Sequence, residues 1–198
     1  MKVIGITGGT GAGKTTALEA IHMLGGAVID CDEVYHELLG GCEPMLAELE
    51  RRFPEAFTEG KLDRKALGRT VFQDEAKLDE LSRITHRYVG MEVDRLLSEY
   101  EAEGVDLAAI DAIALLESGL GGKCDVRVYV TAPKEVRARR IMDREGISHD
   151  YAMMRIEAQK PDSYFAQRCD MVIENDGSMT KEEFTAHCCK IFKEIINN

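Results

Sequence analysis

The stretch at residues 8–16, GGTGAGKTT, directly follows the short run KVIGIT at residues 2–7. Six residues so rich in Val, Ile and Thr, without polar alternation, read as a strand buried on both faces, as in a parallel sheet. The glycines that follow allow a tight turn, and the next residues predict a helix to about Leu24 with Leu18, Ile21 and His22 on its inner face. Gly8, Gly13, Lys14 and Thr15 match G-x-x-x-x-G-K-[ST] in full.

That spacing has a chemical meaning. Successive N–H groups of a glycine-rich loop can turn inward and form an anion nest at a helix N-terminus. Here the nest comprises Gly9, Thr10, Gly11, Ala12, Gly13, Lys14, Thr15 and Thr16. Lys14 can reach the outer phosphates of ATP, and the Thr15 hydroxyl is placed to ligate Mg2+. A dinucleotide fingerprint fails on spacing, because after Gly9 and Gly11 its third glycine would fall on Lys14. The plain alternative is a glycine-rich turn with a surface lysine.

A chain of 198 residues suits one core carrying appendages rather than two independent domains. Residues 27–30 (AVID) predict a second strand. Residues 33–104 read as almost wholly helical with no convincing strand, and 75–101 as one amphipathic helix with Val89, Val93, Leu96, Leu97 and Tyr100 inward. Strands resume at 107–110, 127–131 and 171–174; 134–168 is helical and Arg-rich, and 181–196 closes the chain as a helix. The expected fold is α/β, a three-layer P-loop NTPase fold with a five-stranded parallel sheet. The core comprises 1–32, 105–135 and 168–198, with a helical insertion at 33–104 and a helical lid at 136–167.

Net charge is −11, which repels a phosphate backbone and argues against a nucleic-acid partner. Within 127–168, however, nine Lys/Arg face six Asp/Glu, a local excess that fits a small anionic ligand. The longest apolar stretch, 107–116, is too short to span a bilayer and is interrupted by Asp111. The six cysteines show no CxxC pair, and no segment reads as a signal peptide, so they are expected as reduced thiols of a cytoplasmic protein. No self-complementary surface is legible; a monomer is favoured.

Several residues stand out as partners of the glycine loop. Asp30 and Asp32 flank Cys31 at the end of the second strand, and in extended chain both carboxylates face one side. One could orient an acceptor hydroxyl while the other holds Mg2+ through water; alternatively, Asp32 only caps a helix starting at Glu33. Arg137, Arg140 and Arg144 share one helix face, able to clamp phosphoryl oxygens or simply to be solvated. Arg155 and Gln159 read as polar-face residues. Asn175-Asp176-Gly177 is either a tight turn or part of the ligand edge of the sheet.

GITGGTGAGKTT, IDCD, DRKALG at 63–68, DAIALLESGL at 111–120, VRARRIMDREGIS at 136–148, RIEAQ at 155–159 and DMVIENDG at 170–177 occur in an order that resembles the dephospho-coenzyme A kinases. The resemblance spans nearly the whole chain. It implies transfer of the ATP γ-phosphoryl group to the ribose 3′-hydroxyl of dephospho-CoA. It further implies Asp32 at the acceptor hydroxyl, Arg64, His86 and Glu117 on the substrate side, Arg140 and Arg144 as lid arginines, and Asn175 to Gly177 beside adenine. Lys14, Asp32 and Arg140 are then the catalytic set, with Thr15 and Asp30 at the metal. Two departures fall on the acceptor side: Arg87 follows His86 where the family usually has Pro, and Ile113, Ala114 and Leu116 stand in a segment that usually carries Pro and Phe. A kinase for another small acceptor, such as a nucleoside monophosphate, would use the same loop and lid. A GTPase switch is disfavoured, since no NKxD sequence occurs.

Overall fold

In the computed structural model, which describes residues 1–197, the N-terminal apolar run is strand β1 (Lys2–Gly8). The glycine loop leads into helix α1 (Lys14–Met23) and then strand β2 (Ala27–Asp30). Helices α2 (Cys31–Gly41) and α3 (Glu43–Arg52) follow, then a small hairpin of β3 (Phe57–Thr58) and β4 (Lys61–Leu62), helix α4 (Arg64–Val71) and the long helix α5 (Glu75–Ala102). The chain returns through β5 (Leu107–Asp111) and β6 (Val126–Thr131). It then forms α6 (Lys134–Glu145), α7 (His149–Glu157), α8 (Asp162–Ala166), β7 (Met171–Glu174) and α9 (Lys181–Asn197).

The five longer strands form one parallel sheet in the order β2-β5-β1-β6-β7. β1 lies at its centre; its connection runs to the β2 edge, while that of its neighbour β6 runs to the β7 edge. Ligands of open α/β sheets bind at the carboxyl end of such a switch point, which is where the glycine loop begins. The register sets Ile6 beside Asp111 on one flank and Val128 on the other, so β5 ends level with the start of that loop.

Alternation along the strands sends Ile4, Ile6, Ala109, Val128, Val130 and Ile173 to one face. There they meet Ala17, Leu18, Ala20 and Ile21 of α1 and Phe184, Cys188, Phe192 and Ile195 of α9. Burial of this kind pushes the Cys188 thiol up to about 12, which keeps it an inert apolar filler. The other face carries Gly5 and Tyr129. A Cβ on Gly5 would lie 2.7 Å from Cys124 Sγ and 2.8 Å from a Leu115 methyl, so glycine is what lets the segment after β5 pack down. Phe165 of α8 stacks on Tyr129 at 4.7 Å between ring centroids.

Two compact units divide the chain, Met1–Ile29 with Leu97 onward, and Asp30–Leu96. The second has its own core of Leu39, Met45, Leu49, Phe53, Ala56, Leu67, Val71 and Ile84. Two of its helices, α2 and α4, start at explicit side-chain caps. Asp30 Oδ1 accepts from the amides of Asp32 and Glu33, and Asp63 Oδ1 from those of Lys65 and Ala66. Arg87 of α5 pairs with Glu48 of α3, which also accepts from the Tyr88 hydroxyl at 3.1 Å.

Three local expectations fail. Residues 33–104 do contain strands: Glu59 and Gly60, both with positive φ, close the β3–β4 hairpin, whose strands are too short to show a period. Asp30-Cys31-Asp32 is not extended throughout, because the Asp30 cap starts α2 at Cys31 and places Asp32 in its first turn. His22 is exposed rather than inward, one position off the buried stripe of α1.

Gly8 belongs to the sheet before it belongs to the loop. A Cβ there would sit 2.6 Å from the Val130 carbonyl oxygen, a backbone atom pinned in the β1–β6 ladder. Gly8→Ala is therefore expected to cost about 1–3 kcal/mol and lower the melting temperature; an unchanged thermal transition would show that the strands part without strain.

Candidate active site

Each glycine of the loop answers to a separate physical demand. Gly11 and Gly13 have φ of 80° and 102°, in the left-handed region that other L residues avoid. At Gly9 a Cβ would collide with the Arg137 guanidinium and lie 2.8 Å from Gln159 Oε1. Gly13 is also the N-cap of α1, and the first amides of a helix have no intrahelical acceptors. A hollow of about 340 Å3 opens there, lined by Gly8 to Gly11, Gly13 to Thr15, Ile113, Arg140, Arg144 and Arg155; the Thr16 amide, expected in the nest, bonds the Gly13 carbonyl at 3.1 Å.

The back of the loop is held by side chains far along the chain. Arg137 Nε donates to the Thr10 carbonyl at 2.9 Å, and its Nη2 to Gln159 Oε1. Gln159 Nε2 donates to Thr10 Oγ1 at 3.1 Å while its Oε1 accepts from the Thr10 amide at 3.3 Å. Arg140 Nη1 donates to the Gly11 carbonyl at 3.2 Å and its Nη2 to Asn175 Oδ1 at 2.9 Å. Asn175 Nδ2 completes the set by donating to the Ala12 carbonyl at 3.2 Å. Three consecutive carbonyls are thus drawn away from the hollow. Arg137 is only 4% exposed, with Asp162 3.8 Å away, and Asp162 accepts from the Tyr129 hydroxyl at 2.6 Å. Burial pulls the pKa of Arg140 down, and its guanidinium remains a cation.

At the front of the hollow, Lys14 Nζ pairs with Asp111 Oδ1 at the end of β5. Thr15 is exposed in the first turn of α1. A hydroxyl and a nearby carboxylate are hard oxygen donors, the set that holds Mg2+ together with substrate phosphates in P-loop proteins. Arg144 and Arg155 also line the hollow, and both reach Glu145, Arg144 at 2.5 Å. Those guanidinium groups hold the Glu145 carboxyl below the usual carboxylate range.

Lys14, Thr15, Arg140, Arg144, Asn175 and Gly177 therefore belong to one unit with the loop, and so does Glu117, which lies 3.6 Å from Lys160. Asp30, Asp32, Arg64 and His86 belong to the other unit: Asp32 exposed in α2, Arg64 at the start of α4, His86 half-buried in α5. The amides of Thr10 and Ala12 do not face the hollow, since the first bonds Gln159 and the second the Gly9 carbonyl at 3.1 Å. Asn175 is buried with its amide spent on Arg140 and the loop, and Gly177 takes φ of 87° to carry the chain past Val136.

Comparison with known proteins decides the family. The family model described as dephospho-CoA kinase matches residues 2–181. A dephospho-CoA kinase of Corynebacterium glutamicum is 33% identical over 98% of this chain and 97% of its own. The chain belongs to the dephospho-CoA kinase family. Among solved structures, a Thermus thermophilus protein superposes with a TM-score of 0.80 at 34% identity, covering 98% of this chain and 97% of its own. A dephospho-CoA kinase from Campylobacter jejuni gives 0.70 at 26% identity, covering 100% and 98%. Membership makes the chain a kinase of the final step of coenzyme A biosynthesis and makes its α/β sheet that of the P-loop kinases.

Asp111 and Gln159 are the residues whose place at the site the sequence marks least. Asp111 looked like a break in an apolar run, although a carboxylate ending a strand that pairs with β1 is itself a signal. Gln159 had no such signal, because its partner Thr10 is 149 residues away. The geometry also separates two kinds of arginine. Arg137→Ala would leave the Thr10 carbonyl without its donor and take one of the bonds from Gln159 Oε1, costing about 1–3 kcal/mol and weakening ATP binding. Arg144→Ala, at an exposed side chain, is expected to leave the thermal transition in place while raising KM for ATP. Equal melting-temperature losses for both would contradict this division.

Proposed function

We propose that the chain transfers the γ-phosphoryl group of ATP to the ribose 3′-hydroxyl of dephospho-CoA, giving CoA and ADP, in a cytoplasmic setting. The observation that carries this reading is a complete G-x-x-x-x-G-K-T loop, braced from behind, in a member of the dephospho-CoA kinase family. No helix among the described residues is long and apolar enough to cross a membrane, and the net charge of −11 disfavours nucleic acid.

The amides at the start of α1 bind the inner phosphates, and Lys14 leaves Asp111 to meet the outer ones. Thr15 and Asp111 would hold Mg2+, Asp111 through water. When bound, that ion neutralises charge on the β- and γ-phosphates. Asp30, the carboxylate first expected there, has one oxygen committed to two amides of α2, so Asp111 takes that place in this reading. Arg140 and Arg144 offset charge on the transferring oxygens. Asp32, whose carboxylate the α2 cap does not use, orients the acceptor hydroxyl and takes its proton as the new P–O bond forms and the bond to the β-phosphate oxygen breaks. Arg64, His86 and Glu117 bind the acceptor. Asn175 contributes through the loop it braces, and the backbone up to Gly177 lies beside the ATP base.

Coupled ADP release with dephospho-CoA, AMP and CMP as acceptors tests the substrate. Dephospho-CoA is expected to be turned over far faster; preference for AMP or CMP would reassign the acceptor, and equal release without any acceptor would remove the kinase reading. Lys14→Ala is expected to abolish turnover with every acceptor. Asp32→Asn is expected to lower kcat by about 10²-fold or more with little change in ATP affinity. An unchanged kcat would remove Asp32 from the reacting oxygen.

A further inference from the structure

Arg155 lines the phosphate hollow without belonging to the catalytic set of Lys14, Asp32 and Arg140. It comes from α7, whereas Arg140 and Arg144 come from α6. The two helices share a core of Ala138, Ile141, Ala152 and Ile156. His149, at the start of α7, pairs with Glu135 near the start of α6 at 3.0 Å. At the opposite ends Glu145, the last residue of α6, takes Arg155. Each oxygen of that carboxylate has its own guanidinium: Oε1 accepts from Arg144 Nη2 at 2.5 Å, and Oε2 accepts from Arg155 Nη1.

We propose that Glu145 is a positioning residue for phosphoryl transfer: it holds Arg155 at the hollow, where Arg155 binds an outer phosphate of the donor. The inference rests on ATP as the donor in that hollow and is independent of the acceptor. Arg137 and Arg140 need no such help, since backbone carbonyls of the loop, Gln159 and Asn175 aim them. Arg155 stands at the open rim with 36% of its side chain exposed, and among the described residues Glu145 is the group that holds it.

An arginine without a partner samples many rotamers, and fixing it before phosphate arrives removes that cost from binding. Two guanidinium groups at one rim also repel each other, and a carboxylate between them offsets the repulsion while leaving the cluster a net cation. Arg144 and Arg155 together keep that carboxylate ionised at neutral pH. Each bond to Glu145 uses one terminal nitrogen, so another edge of each guanidinium fork can meet phosphate. A carboxylate that blocked the site would itself face the hollow. Both arginines line it and Glu145 does not, so the anion braces the pair from outside.

Calorimetric titration with ATP in the absence of acceptor, beside steady-state kinetics, tests this. Glu145→Gln is expected to weaken ATP binding by about fivefold or more and to raise KM for ATP with it. Both kcat and KM for dephospho-CoA are expected to stay within about twofold, and the thermal transition to stay in place, as for an exposed ion pair. Arg155→Ala is expected to do the same. In the double variant the loss of ATP affinity is expected to match that of Arg155→Ala alone, because Glu145 then has nothing to aim. Losses that multiply in the double variant would mean that Glu145 acts elsewhere and would overturn the proposal. Unchanged ATP affinity in Glu145→Gln would overturn it too, and so would tighter binding, which would make Glu145 a blocking anion. A lowered melting temperature in Glu145→Gln would reduce its role to joining α6 and α7, with the same consequence. Wild-type ATP binding, measured alongside, separates failure of this inference from failure of the donor assignment.

Discussion

A loop that binds phosphate must turn its N–H groups inward, and it can do so only if its carbonyl oxygens are held elsewhere. Here Thr10, Gly11 and Ala12 present carbonyls to Arg137, Arg140 and Asn175. Two of these donors are cations, whose hydrogen bonds are stronger than neutral ones, and Arg137 and Asn175 are buried. The polarity of the loop is thereby set before any nucleotide arrives. Preorganisation of this kind is what allows electrostatic stabilisation to act without reorganisation during the reaction.

The same contacts tie several parts of one unit together. Arg137 joins Thr10 to Gln159 beyond α7, and through Asp162 the network reaches Tyr129 in the sheet. Helices α6 and α7 also share a small core of Ala138, Ile141, Ala152 and Ile156. The base of the arginine-rich segment is consequently packed against the loop, while Arg144 and Arg155, held by Glu145, sit at the open side of the hollow. One helix face serves two purposes: its buried end shapes the loop and its exposed end is available to phosphate.

Much of this was legible in the order of residues because it depends on local rules. KVIGIT is a strand because it is apolar without alternation, and AVID, 107–110, 127–131 and 171–174 are strands for similar reasons. The 75–101 helix shows its apolar stripe at helical spacing, and Val89 and Val93 of that stripe are buried. Short or cap-driven features were not legible. Strands of two residues carry no period, so the β3–β4 hairpin passed as helix-rich chain. The strand at AVID and the α2 cap meet at Asp30, and no local pattern says which residue takes the amides. At the site, Lys14 and Thr15 announce themselves by spacing, whereas Arg137 looked like its neighbours and Gln159 like a surface residue. Their partners are more than a hundred residues away in sequence, and only folding to that sheet edge brings them together.

The central claim is that the phosphate held by this loop passes to one particular oxygen of one acceptor. Phosphorus NMR of the product formed from ATP and dephospho-CoA tests it most directly. Transfer to the ribose 3′-oxygen gives a new phosphomonoester resonance coupled to the ribose H3′ proton, appearing in step with ADP. Phosphate on another hydroxyl of the acceptor, or released as inorganic phosphate alone, would contradict it.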